Sequence, residues 1–380
     1  MTIRAVHTAV ASVPLREPTA FATTVVTTRE YVLVAVETDD GRLGTGFTVG
    51  GRVAGEARII EAAVQHLAPM VVGEPEWAVE RLWARMFDNT VIIGRRGAVV
   101  RALSAIDIAL WDLMAKDAGR PLYQLLGGYR DEVHAYASGG YYREGKGLDG
   151  LAAEVSGYVA NGFDAVKVKV GRLSPKEDAA RVRAAREAIG PDVKLAVDAN
   201  NGWVDPKSAI RAVREMEESD LWWVEEPLAA DDIAGAGVVA RAIDVPVANG
   251  ELEATRWGFR ALLDAGGADI VQADATVAGG VTEWMRIAHL AGANGVPVAP
   301  HWVANIHVHL VAAIPNGLTV EYFHLSEDVL NFERLVAEPL QPSGGVIPVP
   351  RRPGLGIVFD PESVREFTVA GKLPDAALSP

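Results

Sequence analysis

Three acidic residues each close a short apolar run: Asp198 in Val-Asp-Ala-Asn, Glu225 in Trp-Val-Glu-Glu-Pro, and Glu251 in Ala-Asn-Gly-Glu. They lie 27 and 26 residues apart. That interval is close to one strand plus one helix of an α/β barrel, in which ~250 residues make eight such units. Strand tips converge in a barrel, so carboxylates remote in sequence meet at one point. Three converging carboxylates repel one another unless a cation holds them. An all-oxygen ligand set of this hardness favours Mg²⁺ over zinc. The spacing therefore points to a metal-dependent enzyme.

Further polar groups fall on neighbouring strand tips. Lys167 and Lys169, two apart in Ala-Val-Lys-Val-Lys-Val, face the same side of one strand. An unpaired buried ammonium is costly, but nearby carboxylates supply partners. Crowding and desolvation are expected to bring one of these lysines toward a neutral pKa, as a general base requires. Asn200, two beyond Asp198, is placed to hold a ligand or substrate oxygen. Asp274 and His301 are again 27 residues apart, and a carboxylate beside an imidazole fixes its tautomer and raises its basicity. Glu321 closes the last apolar run. A lone Lys-x-Lys is usually a solvated surface; polar groups on successive strand tips are what the catalytic face of a barrel carries.

The elements that position these groups read in three parts. Residues 1–127 form an N-terminal α+β capping domain. In it Tyr31–Val36 is a strand buried on both faces, Asp39-Asp40-Gly41 a hairpin turn and Gly44–Phe47 the return strand. Helices follow, with Leu103, Ile106, Leu110 and Leu113 as one apolar stripe. Residues 128–330 alternate strand and helix. Strands are expected at 132–138, 164–170, 193–198, 221–225, 245–249, 269–274, 296–300 and 318–322, with seven helices between them. The clearest helix, 175–189, opens on Ser174-Pro175-Lys176-Glu177, a capping box with proline at the first helical position, and stops at Gly190. Another carries Val281, Trp284, Ala288 and Ala291. The fold class is α/β, a TIM-like (β/α)7β barrel. Residues 331–380, rich in Pro and Gly, return to complete the capping domain.

Composition narrows the function. The chain has 380 residues, 49% of them hydrophobic, enough for one barrel and a second domain. A net charge of −14 argues against nucleic acid, which needs a basic stripe. With no cysteine, disulfides, zinc–cysteine sites and thiol catalysis are excluded. The N-terminus lacks a long apolar segment and no run of about 18 apolar residues follows, so a soluble cytoplasmic protein is expected, without membrane partners. A small carboxylate substrate and further copies of the chain are the expected partners.

Several features are read as structural. His307 and His309 face different directions on one helix and make a poor metal pair. Gly354-Leu355-Gly356 lacks the strand and helix of a dinucleotide site and is a turn. Glu226 should point to the opposite side of its strand from Glu225, leaving Glu225 as the ligand.

Lys167-Val-Lys169, Asp198-Ala-Asn200, Glu225-Glu-Pro, Gly250-Glu251, Asp274, His301 and Glu321 together resemble the site of the mandelate racemase subgroup of the enolase superfamily. The likeness spans essentially the whole chain, including the helix Ala105–Asp112 and the closing Pro353–Gly356 segment. Pairing of Lys or His bases with Mg²⁺ is a known property of that superfamily. The resemblance implies that Asp198, Glu225 and Glu251 bind Mg²⁺ and that Lys169 and His301 are the acid/base pair. It makes Asp274 the partner of His301 and Glu321 a hydrogen-bond donor to the developing enolate oxygen. Lys167, with Ser138 at the first strand tip, would contact the substrate carboxylate.

A proton α to a carboxylate is very weakly acidic, because its removal puts a second negative charge on the same group. A divalent cation and fixed donors stabilise that enediolate, so the base needs only a modestly tuned pKa. Sites resembling this one commonly belong to acid-sugar dehydratases, which convert aldonic or aldaric acids to 2-keto-3-deoxy acids. A racemase or epimerase of a 2-hydroxy acid is the second reading, and a catalytically silent barrel the third. Specificity is expected from the loops Leu15–Thr28 and Thr48–Arg52, with Gly139–Arg143 also in reach of the substrate.

Overall fold

The computed structural model describes residues 1–51 and 53–378. Its first three strands, β1 (Ile3–Phe21), β2 (Thr24–Thr38) and β3 (Leu43–Val49), form an antiparallel meander. The uninterrupted apolar run of β2 has a simple cause: the sheet separates two cores. Tyr31, Leu33 and Ala35 join the large core shared with the barrel, whereas Val32, Val34 and Val36 join a core built by the cap helices. Those helices are α1 (Glu56–Leu67), α2 (Val79–Thr90), α3 (Ala98–Asp117) and the short α4 (Leu122–Leu125). The stripe of Leu103, Ile106, Leu110 and Leu113 is fully inside the second core. Strand β3 lies directly on α3 because Gly44 and Gly46 carry no side chain. A Cβ at either would clash with the carbonyls of Ala109 and Ala105.

The second part alternates as expected. Its elements run β4 (Glu132–Ser138), α5 (Leu148–Ala160), β5 (Ala165–Lys169), α6 (Pro175–Ile189), β6 (Lys194–Asp198), α7 (Pro206–Arg214), β7 (Leu221–Glu225), α8 (Ile233–Ala240), β8 (Val247–Asn249), α9 (Thr255–Asp264) and β9 (Ile270–Val271). Then come α10 (Ala275–Ala278), α11 (Gly280–Ala293), α12 (Ala304–Ala313) and β10 (Val320–Tyr322). The parallel sheet curls so that β10 pairs with β4. The capping box of α6 is formed, with Ser174 and Glu177 each bonding the other's backbone.

One strand departs from expectation. Residues 296–300 make only isolated parallel bridges, Val298 to Val271 on one side and to Gly317 on the other. Pro297 and Pro300 flank that bridge, and proline brings no N–H to a ladder. The pairing still closes the barrel between β9 and β10.

After β10 the chain supplies β11 (Val346–Pro348), antiparallel to β4, then α13 (Pro361–Phe367) and β12 (Thr368–Gly371), which adds a fourth strand to the cap sheet beside β1. Cap and barrel are further locked at α3. Asp107 accepts from the backbone and hydroxyl of Thr282 (2.9 and 2.6 Å) at the N-terminus of α11, where the helix dipole favours an anion. Trp111 donates to the same hydroxyl at 2.8 Å. Asp112 accepts from the backbones of Thr45 and Leu355, making Gly354-Leu355-Gly356 the expected turn, with Gly354 and Gly356 both at positive φ. Among the described residues no helix is long and apolar enough to cross a membrane.

Candidate active site

Register places the acidic groups. In the parallel sheet Lys169 pairs with Asp198 and Asp198 with Glu225, so three strand tips end level. Glu251 follows β8 at the next tip. One carboxylate oxygen from each of Asp198, Glu225 and Glu251 lies within 4.8 Å of the other two, and all three residues are buried. Burial, followed by the charge of Asp198, pushes Glu225 up to about 8; burial and the neighbouring Glu226 push Glu251 up to about 8. Asp198, held by Lys169 and Lys167 against the effect of burial, falls to about 2. Buried carboxylates that also repel one another, converging through oxygen atoms only, fit a hard divalent cation. The Oδ1 of Asn200 adds a buried acceptor without a hydrogen-bond partner among the described residues.

Glu226 differs from expectation. Its backbone is left-handed (φ 43°), which breaks the alternation of a strand, and its buried carboxyl turns onto Glu251 rather than away. It stands outside the set of three oxygens that converge.

A cavity of about 90 Å³ opens above the triad. Lys169, Asn200, Glu251, Asp274 and His301 line its barrel side. His301 Nδ1 lies 3.0 Å from Asp274 Oδ2, and Nε2 lies 3.5 Å from Glu251. Asp274 is itself fixed by the backbone N–H and hydroxyl of Thr276, both at 2.8 Å. Burial alone would lower the His301 pKa; Glu251, the Asp274 hydrogen bond and Glu321 outweigh it and hold the imidazole above its ordinary value. Lys169 pairs with Asp198 and sits over the ring of Tyr141 at 4.8 Å.

Asp198, Glu225, Glu321, Lys167 and Ser138 lie beneath the cavity wall. Lys167 is fully buried, 2.5 Å from Glu225, 2.7 Å from Glu321 and 3.3 Å from the Tyr136 hydroxyl. Ser138 pairs in register with Lys167, and its buried hydroxyl has no hydrogen-bond partner among the described residues. Glu321 accepts from the backbone N–H of Trp302 at 2.7 Å. Burial would raise its pKa, but Lys167 and His301 hold it below the ordinary range. Toward Trp302 and Lys167 Glu321 is an acceptor. The expected lowering of a lysine pKa is reversed among these groups. Burial lowers both lysines, yet Glu225 and Glu321 lift Lys167, and Asp198 lifts Lys169, above the ordinary value. Those anions, which the protein's own lysines neutralise here, are the ones a cation would claim.

His307 and His309 do point apart. His307 Nε2 accepts from the Ala275 backbone at 3.0 Å, 3.6 Å from Asp274, behind the catalytic histidine candidate. His309 bridges Tyr123 and Leu355. The expected specificity loops contribute Phe21 and Val49–Gly51 to the cavity; Arg52 lies outside the described residues. Sequence reasoning passed over Arg29, Arg101 and Trp302, which also line it.

Residues 3–127 match the mandelate racemase/muconate lactonizing enzyme N-terminal domain, and residues 150–363 match the enolase C-terminal domain-like family. The chain belongs to the mandelate racemase/muconate lactonizing enzyme family. It is 37% identical to arabinonate dehydratase of Saccharolobus solfataricus over 334 residues, 86% of this chain and 87% of that protein. The crystal structure of L-talarate/galactarate dehydratase from Salmonella typhimurium, liganded with Mg and L-lyxarohydroxamate, superposes with a TM-score of 0.88 at 34% identity. That match covers 98% of this chain and 95% of the other. A racemase from Streptomyces coelicolor with bound magnesium gives a TM-score of 0.89 at 32% identity, covering 97% of this chain and all of its own.

Proposed function

We propose that this family member is a Mg²⁺-dependent acid-sugar dehydratase. The observation that carries the reading is one cavity lined by two separate acid/base groups, Lys169 and the Asp274-held His301. In strand order the carboxylates Asp198, Glu225 and Glu251 stand between them. Those three carboxylates would hold the cation, which supplies positive charge where the substrate carboxylate becomes an enediolate. Lys169, relieved of the Asp198 charge, takes the proton from C2. His301 delivers a proton from Nε2 to the C3 hydroxyl, which leaves as water with its bonding electrons. The resulting enol ketonises to a 2-keto-3-deoxy acid, so atoms and protons balance. Asn200 is assigned to the substrate or ligand oxygen, and Lys167 with Glu321 and Ser138 to the floor on which the substrate carboxylate rests.

Purified protein with Mg²⁺ is tested against a panel of aldonic and aldaric acids, by proton NMR in D₂O and by semicarbazide detection of 2-keto acids. Keto product is the expected outcome. Inversion of a 2-hydroxy acid without keto product would establish the racemase reading instead. With neither exchange nor product across the panel, the silent barrel would stand.

A further inference from the structure

We infer that the substrate carries a second anionic end, bound by Arg29 and Arg101, so that its class is an aldarate rather than an aldonate. The inference rests on the dehydratase reading and deepens it.

Both guanidiniums line the cavity that Lys169 and His301 line, but they reach it from the cap: Arg29 from β2 and Arg101 from α3. A substrate whose reacting carboxylate lies at the barrel floor directs its far end toward that wall. Both arginines are held in place. Arg29 is only 6% exposed, donates from Nε to the Val329 carbonyl at 3.2 Å, and lies over the indole of Trp302 at 4.6 Å. The same indole stacks on the His301 ring with centroids 5.2 Å apart, so Arg29 and the acid/base histidine share one aromatic neighbour. Arg101 donates from Nη1 to the carbonyl of Val49, itself a cavity residue, at 3.1 Å.

The terminal hydroxymethyl of an aldonate needs hydrogen bonds but no charge. A carboxylate matches the planar, permanently charged guanidinium fork, which can bind it through two parallel hydrogen bonds. The chain's net charge of −14 repels a dianion at long range, so a locally basic wall is what a dianionic substrate requires.

The experiment compares kcat/KM for hexarates and hexonates of matching configuration at C2 to C5, with Mg²⁺ present. A charge-assisted hydrogen bond predicts a preference of roughly ten- to a hundredfold for the diacid. Arg101→Met should collapse that ratio, chiefly through KM, and Arg101→Lys should retain part of it. Arg29→Met should act in the same direction and, being buried, is scored only if its circular dichroism and Tm show a folded protein. Equal use of both acids by the wild type overturns the inference while leaving dehydration intact. An unchanged ratio in Arg101→Met overturns the assignment of the arginines. Absence of α-proton exchange with every acid defeats the dehydratase reading and the inference with it.

Discussion

Asp274 Oδ2 accepts from Nδ1 of His301 at 3.0 Å, which leaves Nε2 as the ring atom that faces Glu251 and the cavity. The aspartate thus selects the tautomer and stabilises the imidazolium. Asp274→Asn keeps the shape but loses the charge, and product formation should fall by roughly 10²-fold or more, the scale of one general acid's contribution. The sign of the pH effect follows from the same pair. A histidine acting as acid fails as pH rises through its pKa; removing one of the groups that lifts this pKa moves the alkaline fall in rate to lower pH. A pH–rate profile whose alkaline limb does not move would show that Asp274 does not tune His301.

The acid/base groups are expected to separate kinetically. His301→Asn should abolish keto product yet leave exchange of the α-proton with D₂O, for a substrate that presents that proton to Lys169. Lys169→Ala should abolish both, a loss of about 10²–10⁴-fold in exchange rate. Product formation by Lys169→Ala at the wild-type rate would reassign the base.

Metal binding orders the two adjacent glutamates. Mg²⁺ at about a hundred times its Kd should stabilise the fold by about 2.7 kcal/mol, and EDTA should reverse the gain in Tm. Glu225→Gln removes one of the three converging oxygens and should weaken Mg²⁺ binding strongly. Glu226→Gln, which disturbs only the neighbour of Glu251, should weaken it less. Calorimetric titration measures both; the reverse order would exchange their roles.

The catalytic side of the barrel was legible because charged residues rarely end apolar runs at equal intervals unless the strand tips share one site. Asp198, Glu225, Glu251, Asp274 and His301 all belong to that pattern. Three kinds of information were not in the pattern. Alternation assumes that a strand continues, and the left-handed backbone at Glu226 breaks it just past the end of β7 at Glu225. Period and spacing also say nothing about how the cap lies over the barrel. Arg29 and Arg101 read as ordinary charges on a strand and a helix, and only the docking of those elements brings them to the cavity. Depth was lost as well: side chains two apart share a face, but Lys167 lies beneath the wall that Lys169 lines.

A last test concerns the fold rather than the chemistry. His309 ties α12 to α4 and to the C-terminal turn: Nε2–H donates to the Leu355 carbonyl at 2.9 Å, and Nδ1 accepts from the Tyr123 N–H at 3.4 Å. The bond from Tyr123 needs Nδ1 unprotonated, hence a neutral ring, and burial pushes the ring's pKa down to about 4. Above its ordinary value of 6.5 the ring is neutral in folded and unfolded chains, and stability does not depend on its titration. As pH falls from 6.5 toward 4, the unfolded chain binds the proton and the folded one does not, a loss of roughly 3 kcal/mol. His307, also pushed down to about 4 by burial, adds to the same slope. Tm should therefore drop steeply below about pH 6.5. His309→Gln, which can still donate to Leu355 and accept from Tyr123 without titrating, should make the drop shallower. Parallel Tm curves for the two proteins between about pH 7 and about pH 4.5 would mean that His309 takes up its proton in the folded state, against the bonding described for it.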